Sequence, residues 1–245
     1  MGGGILPAMG ELIGHIAALA RFPVKSMGGE ALDEAALGWS GIVGDRQWAF
    51  VKAPAHSRFP WFTGRDHSSI NAWRAMYAEG ADPKLATPQV IAPDGWTGAI
   101  DDPAVVERLR RESKKDMTLL RLGRGAYDSL PLSVVSSSGH AAVEASHGMP
   151  IDPRRFRINV VVDTDLPLRV WAGRRLVLGG EDGAEIAVTA PIERCVMITI
   201  DPDTGERDPW LMRTVAQQFD NKYGMHANVV RPGMLRVGAQ VLLRD

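Results

Sequence analysis

Cys195 is the chain's single cysteine and lies in Pro191-Ile-Glu-Arg-Cys-Val-Met-Ile-Thr-Ile-Asp-Pro-Asp-Thr-Gly205. A thiolate can attack an electrophile or ligate a soft metal, and Arg194 beside it favours that ionised form. Val196 to Asp201 reads as an apolar strand, so the thiol stands where a charged loop, Glu193-Arg194, runs into a strand and a side chain can face a cleft. The same spacing also fits a buried cysteine acting as a small hydrophobe. One cysteine excludes an intrachain disulfide, a four-cysteine iron–sulfur cluster and a multi-cysteine zinc site. It is consistent with a reducing, intracellular compartment, and a cytoplasmic location is expected.

Basic residues adjoin polar or glycine-containing turns at Lys25-Ser26, Gly44-Asp45-Arg46, Thr63-Gly64-Arg65 and Arg155-Phe-Arg157-Ile-Asn159. Cationic side chains, hydroxyls and backbone amides together hold phosphate groups; the alternative is a set of solvated surface charges. Arg157 differs from the rest because it opens a strongly apolar segment, where a charge needs a partner. No GxGxxG, GxxxxGK[ST] or HExxH pattern occurs, and the histidines are scattered without ligand spacing. Ser136-Ser-Ser-Gly-His140 lacks the strand–turn–helix setting of a nucleophile elbow. A formal net charge of −1 gives no bulk attraction to nucleic acid or anionic membrane, and Trp61 and Trp73 around one basic segment do not make a nucleic-acid site.

The elements that must position these groups are mostly short strands. His15 to Phe22, Arg46 to Lys52, Gln89 to Ala92, Arg157 to Asp163, Arg175 to Leu178 and Glu185 to Thr189 carry β-branched, aromatic or other apolar residues between Gly, Pro and Asp breaks. Asn228 to Val230 and Leu235 to Leu243 are expected to pair around Arg231-Pro-Gly233. Asp102-Pro103 caps a helix running to about Lys115. A small-residue helix is expected over Leu132 to His147, ending at Gly148, and an amphipathic one from Pro209 to about Tyr223, marked by Leu211, Val215 and Phe219. Strands outnumber helices and do not alternate with them, which predicts a mainly β fold with packed helices (α+β), barrel-like rather than doubly wound. The boundary between halves is placed at Lys114-Lys115-Asp116, giving units 13–113 and 114–243. The start, Met1 to Gly10, reads as Gly-rich and disordered without signal-peptide features, and no run of about 18 apolar residues predicts a membrane span.

Several of these segments occur together in one family. Phe22-Pro-Val-Lys-Ser26, Gly44-Asp-Arg-Gln-Trp48, Thr63-Gly-Arg65, Asp128-Ser-Leu-Pro131, Arg155-Phe-Arg-Ile-Asn159, Arg194-Cys195 with Asp201-Pro-Asp-Thr-Gly205, and Gly233-Met-Leu-Arg-Val-Gly238 stand in the order found in MOSC-domain proteins. The chain resembles members with an N-terminal MOSC β-barrel domain, related to the mitochondrial amidoxime-reducing component, from about Ile13 to Leu243. The resemblance implies a MOSC β-barrel with an N-terminal barrel-like subdomain. It implies a molybdenum cofactor (Mo-molybdopterin) whose metal is bound by Cys195, with cofactor contacts from Lys25, Ser26, Arg46, Arg65, Arg157, Asn159 and Arg194. Asp128 and Ser129 match a segment near the metal, Asp128 being the second candidate catalytic residue.

The resemblance further implies an oxidoreductase that reduces N–O bonds of small N-hydroxylated substrates, the cofactor carrying the redox chemistry. Many relatives have a second cysteine shortly before the ligand, where this chain has Ile192-Glu193; some carry an appended ferredoxin-like domain whose cysteines are not present here. Electrons would then come from a separate iron–sulfur, haem or flavin protein. A second reading keeps the exposed thiol and makes the protein a sulfur carrier with a persulfide on Cys195. A third is a cofactor-storage or interaction protein without turnover.

Overall fold

The computed structural model describes residues 10–53 and 59–245, so the expectation for residues 1–9 lies outside the described residues. The first half carries β1 (Glu11–Arg21), β2 (Glu30–Leu32), β3 (Glu34–Gly38), β4 (Gly41–Ile42), β5 (Trp48–Lys52), β6 (Arg74–Met76), β7 (Gln89–Ile91), β8 (Thr97–Ala99), α1 (Pro103–Ser113) and β9 (Met117–Arg121). The second half carries β10 (Leu132–Ser136), α2 (Ser137–His147), β11 (Val160–Asp163), β12 (Arg175–Leu178), β13 (Ala184–Glu193), α3 (Pro209–Gln218), β14 (Lys222–Arg231), β15 (Gly233–Arg236) and β16 (Gln240–Arg244). The fold is mainly β.

The largest sheet runs β11-β10-β14-β13-β12-β16-β1, and β11 pairs again with β1, so these strands close a barrel with β2 hydrogen-bonded outside the ring. Closure depends on β1, whose first residues pair with β16 and whose later ones pair with β11. The register slips between Leu12 and Gly14 and again between Ile16 and Ala18. Such bulges bend a strand so that it can serve two neighbours. Gly14 has φ +155°, and a Cβ there would stand 1.9 Å from the Asp163 carbonyl oxygen, so only glycine permits the approach. Alternate residues such as Ile16, Leu19, Val160, Val162, Leu176, Ile186 and Leu243 fill the interior.

A second core is built outside the barrel from Val24, Trp48, Phe50, Phe62, Trp73, Leu109 and Met117, uniting the β5–β9 pair, the β6–β7–β8 sheet and α1. Strands from the two ends of the chain interleave: β1 sits in the barrel, and β15 pairs with β3. A third cluster, with Phe156, Ile158, Ile192, Ile198, Leu211, Val215 and Tyr223, packs α2 and α3 beneath the 153–158 and 192–199 segments. The helix signals behave as their chemistry dictates: Asp102 and Asp208 accept from the amides of Ala104 and Trp210, each followed by Pro at the first turn. Among the described residues no helix is long and apolar enough to cross a membrane.

Several local expectations change. Leu132 to Ser136 is a fully buried strand and only Ser137 to His147 is helical, because Val134 and Val135 pair with β11 and Val134 also with β14. Arg157 precedes its strand, which begins at Val160. Val196 to Thr199 is a 3₁₀ turn, the Ile198 amide bonding the Cys195 carbonyl, where a strand was expected. The expected closing pair does not form: β14 lies between β10 and β13, β15 goes to β3, and β16 lies between β12 and β1.

Candidate functional site

A cavity of about 560 Å3 opens between the barrel wall and the loops of the first half. Lys25, Ser26, Arg46, Arg65, Asp128, Ser129, Arg157, Asn159, Arg194 and Cys195 all line it. The structure thus brings every sequence-derived candidate to one place. It also adds Thr63, Ser133, Arg155 and His226, the last of which no local pattern marks.

Cys195 is partly exposed and ends the β13 loop just before the 3₁₀ turn. Its Sγ accepts a hydrogen bond from Arg65 Nη2 at 3.5 Å, and the same nitrogen lies 4.0 Å from Asp128 Oδ2. Arg65 is carried by a turn in which the Asp66 carboxylate accepts from the Thr63 amide at 3.0 Å and Arg207 donates to the Gly64 carbonyl. Asp128 accepts from Lys25 Nζ at 2.5 Å, and Nζ also donates to the Ala126 carbonyl at 2.7 Å. Burial lowers the Lys25 pKa, opposed by Asp128 and reinforced by Arg46 and Arg157.

The opposite wall is rigid. Asn159 is buried; its Oδ1 accepts from Ser133 Oγ at 2.9 Å, and its Nδ2 donates to the Ala20 carbonyl at 3.2 Å. Arg46 is held between Asp45, buried with its own Oδ1 on the Phe22 amide, and the Arg157 carbonyl. Arg194 donates through Nε and Nη2 to the Tyr223 carbonyl and through Nη1 to the Phe156 carbonyl, and its plane lies near both rings. All three of its nitrogens are thus engaged with backbone carbonyls. Burial lowers its pKa to about 10, opposed by Tyr223 and Cys195.

Arg157 is the exception. Nη1 donates to the Met27 carbonyl, while Nη2 is buried without a partner. Burial, then the Arg46 charge, lowers its pKa to about 9, so the guanidinium remains charged at neutral pH. A buried cationic donor left unpaired is costly and asks for an anion. Ser26, Arg46 and Arg157 also have φ of 69°, 51° and 54°. Non-glycine residues in the left-handed region store strain, and here three of them line one cavity.

Among the described residues no cluster of three His, Cys, Asp or Glu gathers to hold a metal ion. The protein therefore presents one soft sulfur, and a metal at that sulfur must bring its other ligands with it. The donor set fits a group with a thiophilic metal at one end and an anionic, phosphate-like end against Arg157 and Lys25.

Residues 13–77 match the MOSC N-terminal beta barrel domain and residues 124–242 match the MOSC domain. Molybdenum cofactor sulfurase 3 of Aedes aegypti is 34% identical over 84 residues, covering 32% of this chain and 11% of that protein. Molybdenum cofactor sulfurase of Drosophila ananassae is 30% identical over 108 residues, 44% of this chain and 13% of that protein. The matched region is thus a small part of these relatives' length. The crystal structure of the YUAD protein from Bacillus subtilis shares the fold at a TM-score of 0.51 and 15% identity, covering 95% of this chain and 96% of that one. The barrel, the order of its segments and these matches place the chain in the MOSC-domain family, with an N-terminal MOSC β-barrel domain ahead of the MOSC domain.

Proposed function

We propose that this protein binds a molybdenum cofactor in the cation-lined cavity, with Cys195 as the metal ligand, and reduces N–O bonds of small N-hydroxylated compounds. The observation that carries the reading is the placement of a partly exposed sulfur on a cavity that also holds a buried, unpartnered guanidinium nitrogen. When bound, the cofactor would supply the two-electron redox chemistry.

The chain's own residues do the rest. Arg65 donates to Sγ and helps hold the sulfur that would ligate the metal. Arg157, Lys25 and Arg46 fix the anionic end, and Asn159 and Ser133 hold the wall in place. Reduction of an N-hydroxy group to an amine and water consumes two electrons and two protons. The Asp128 carboxylate stands at the mouth and is bonded to Lys25 Nζ, so this pair can pass protons from solvent to the departing oxygen. Electrons come from a separate iron–sulfur, haem or flavin protein, and the expected location is cytoplasmic.

The test is Cys195→Ser made in a cofactor-competent host, assayed for molybdenum and pterin content and for reduction of an N-hydroxylated amidine by an artificial electron donor. The expected result is retained fold and loss of molybdenum-dependent turnover to background. Equal turnover and equal molybdenum loading in the variant would sink the reading. The sulfurase names of the relatives favour a second reading, a persulfide on Cys195 for sulfur transfer. It predicts one extra sulfur on the fresh protein by mass spectrometry, with no metal or pterin.

A further inference from the structure

A second cavity, of about 430 Å3, lies on the other side of Arg155 and Arg157, which line both. Its volume is in the range of small-molecule sites, about 300–1,000 Å3. Cys195 is not part of it. One wall is the outer face of the barrel, where Ala18 and Ala20 of β1 stand beside Val135 of β10 and Val161 of β11. Ile158, Ile200 and Pro202 add hydrocarbon from the loops. The space exists because Ala18, Ala20 and, across the β1–β2 pair, Ala31 are small; a branched side chain at these outward positions would fill it. Ala18, Ala31 and Pro153 are exposed and mark its mouth.

The charges around this hydrocarbon are not equivalent. Arg154 is paired with Asp152 and Asp203, and Arg155 with Asp201 at 2.8 Å. Among the described residues Arg74 and Arg157 have no carboxylate at ion-pair distance. Both converge on one short segment. Arg157 Nη1 donates to the Met27 carbonyl, and the Arg74 backbone is bridged to that of Gly28, with Arg74 Cγ lying beside Gly28. Apolar walls with two cations that lack a direct ion-pair partner describe the complement of an amphipathic anion.

We propose that the second cavity binds a small amphipathic organic anion, its hydrocarbon on Val135, Ile158, Val161 and Ile200 and its anionic group between Arg74 and Arg157. Arg157 serves both cavities, so an occupant here changes the affinity of the first cavity for its own anion, and the coupling is reciprocal. The proposal rests on the lining of this cavity and not on the identity of the group at Cys195.

The experiment is calorimetric titration of the full chain with octanoate and, separately, with 1-octanol. One octanoate is expected per chain, with 1-octanol weaker by about tenfold, the share of a charge-assisted contact. Ala18→Phe, which fills the mouth, and Arg74→Glu, which reverses the charge, are each expected to weaken octanoate by about tenfold or more with an unchanged thermal midpoint. Should Ala18→Phe fail to fold, Arg74→Glu carries the test. Lys25→Gln, in the first cavity, is expected to leave octanoate binding as it was. The proposal falls if no saturable binding is seen, if 1-octanol binds as tightly, if Arg74→Glu changes nothing, or if Lys25→Gln abolishes binding.

Discussion

Arg157 and Arg194 stand in the walls of one cavity, and both have a depressed pKa led by burial, yet they are held in opposite ways. Arg194 gives its nitrogens to the Tyr223 and Phe156 carbonyls and ties the cysteine loop to β14 and the 153–156 turn. Arg157 keeps Nη2 without a partner and sits in a left-handed conformation. A guanidinium whose every nitrogen donates to backbone acts as a brace, and one with a nitrogen left without a partner acts as a receptor. Charge and position alone do not separate them; the bookkeeping of donors does.

The largest expected effect tests the brace. Arg194→Ala leaves two buried carbonyls without donors and removes the contact with the Phe156 and Tyr223 rings, so denaturant unfolding is expected to show a loss of about 3–5 kcal/mol. A loss below about 1 kcal/mol would erase the distinction between the two arginines. Next comes the receptor. Arg157→Met is expected to weaken binding of a phosphate monoester by roughly 10- to 100-fold, as for a lost hydrogen bond to a charged group, while stability changes by no more than about 1 kcal/mol. Equal phosphate affinity in variant and parent would show that the orphaned nitrogen is no receptor.

A smaller effect concerns strain. Ser26→Gly relieves a φ of 69° and is expected to raise stability by about 0.5–1 kcal/mol, measured by thermal unfolding, while loosening the turn that presents Lys25. The smallest is a pH effect. Because burial lowers the Lys25 pKa, its positive charge is lost at lower pH than for an exposed lysine. Phosphate affinity should therefore decline with rising pH before the ordinary lysine range is reached, and in Lys25→Arg the decline should move to higher pH. Superimposable pH profiles for parent and variant would assign the affinity elsewhere.

What could be read from the sequence followed the range of the interaction. Asp102-Pro103 and Asp208-Pro209 announce helix starts because a cap bonds amides two residues away, and the recurrence of Leu211 and Val215 marks the buried face of α3. Leu132 to Ser136 misleads because small residues suit a helix, and only the pairing of Val134 with strands far away in sequence makes it a strand. Val196 to Thr199 has strand-like composition but turns, since the Cys195 carbonyl is taken by the Ile198 amide. The candidate residues around Cys195 were reached through the order of short motifs, and spacing alone left each arginine open to a surface reading. Which arginine keeps an unpartnered nitrogen depends on Met27, Phe156 and Tyr223, none of which carries a local signal. His226, alone within a strand, gives none either.

The glycine hinge at position 14 has a consequence for biosynthesis. β1 is made long before its partner β16, so the ring has no complete circumference until Gln240–Arg244 has emerged. Until then the first residues of β1, Glu11 to His15, present unmated amides and carbonyls, the kind of edge that recruits foreign strands. A ribosome stalled before Gln240 is expected to yield an open trough that aggregates, whereas emergence of β16 lets the seam close.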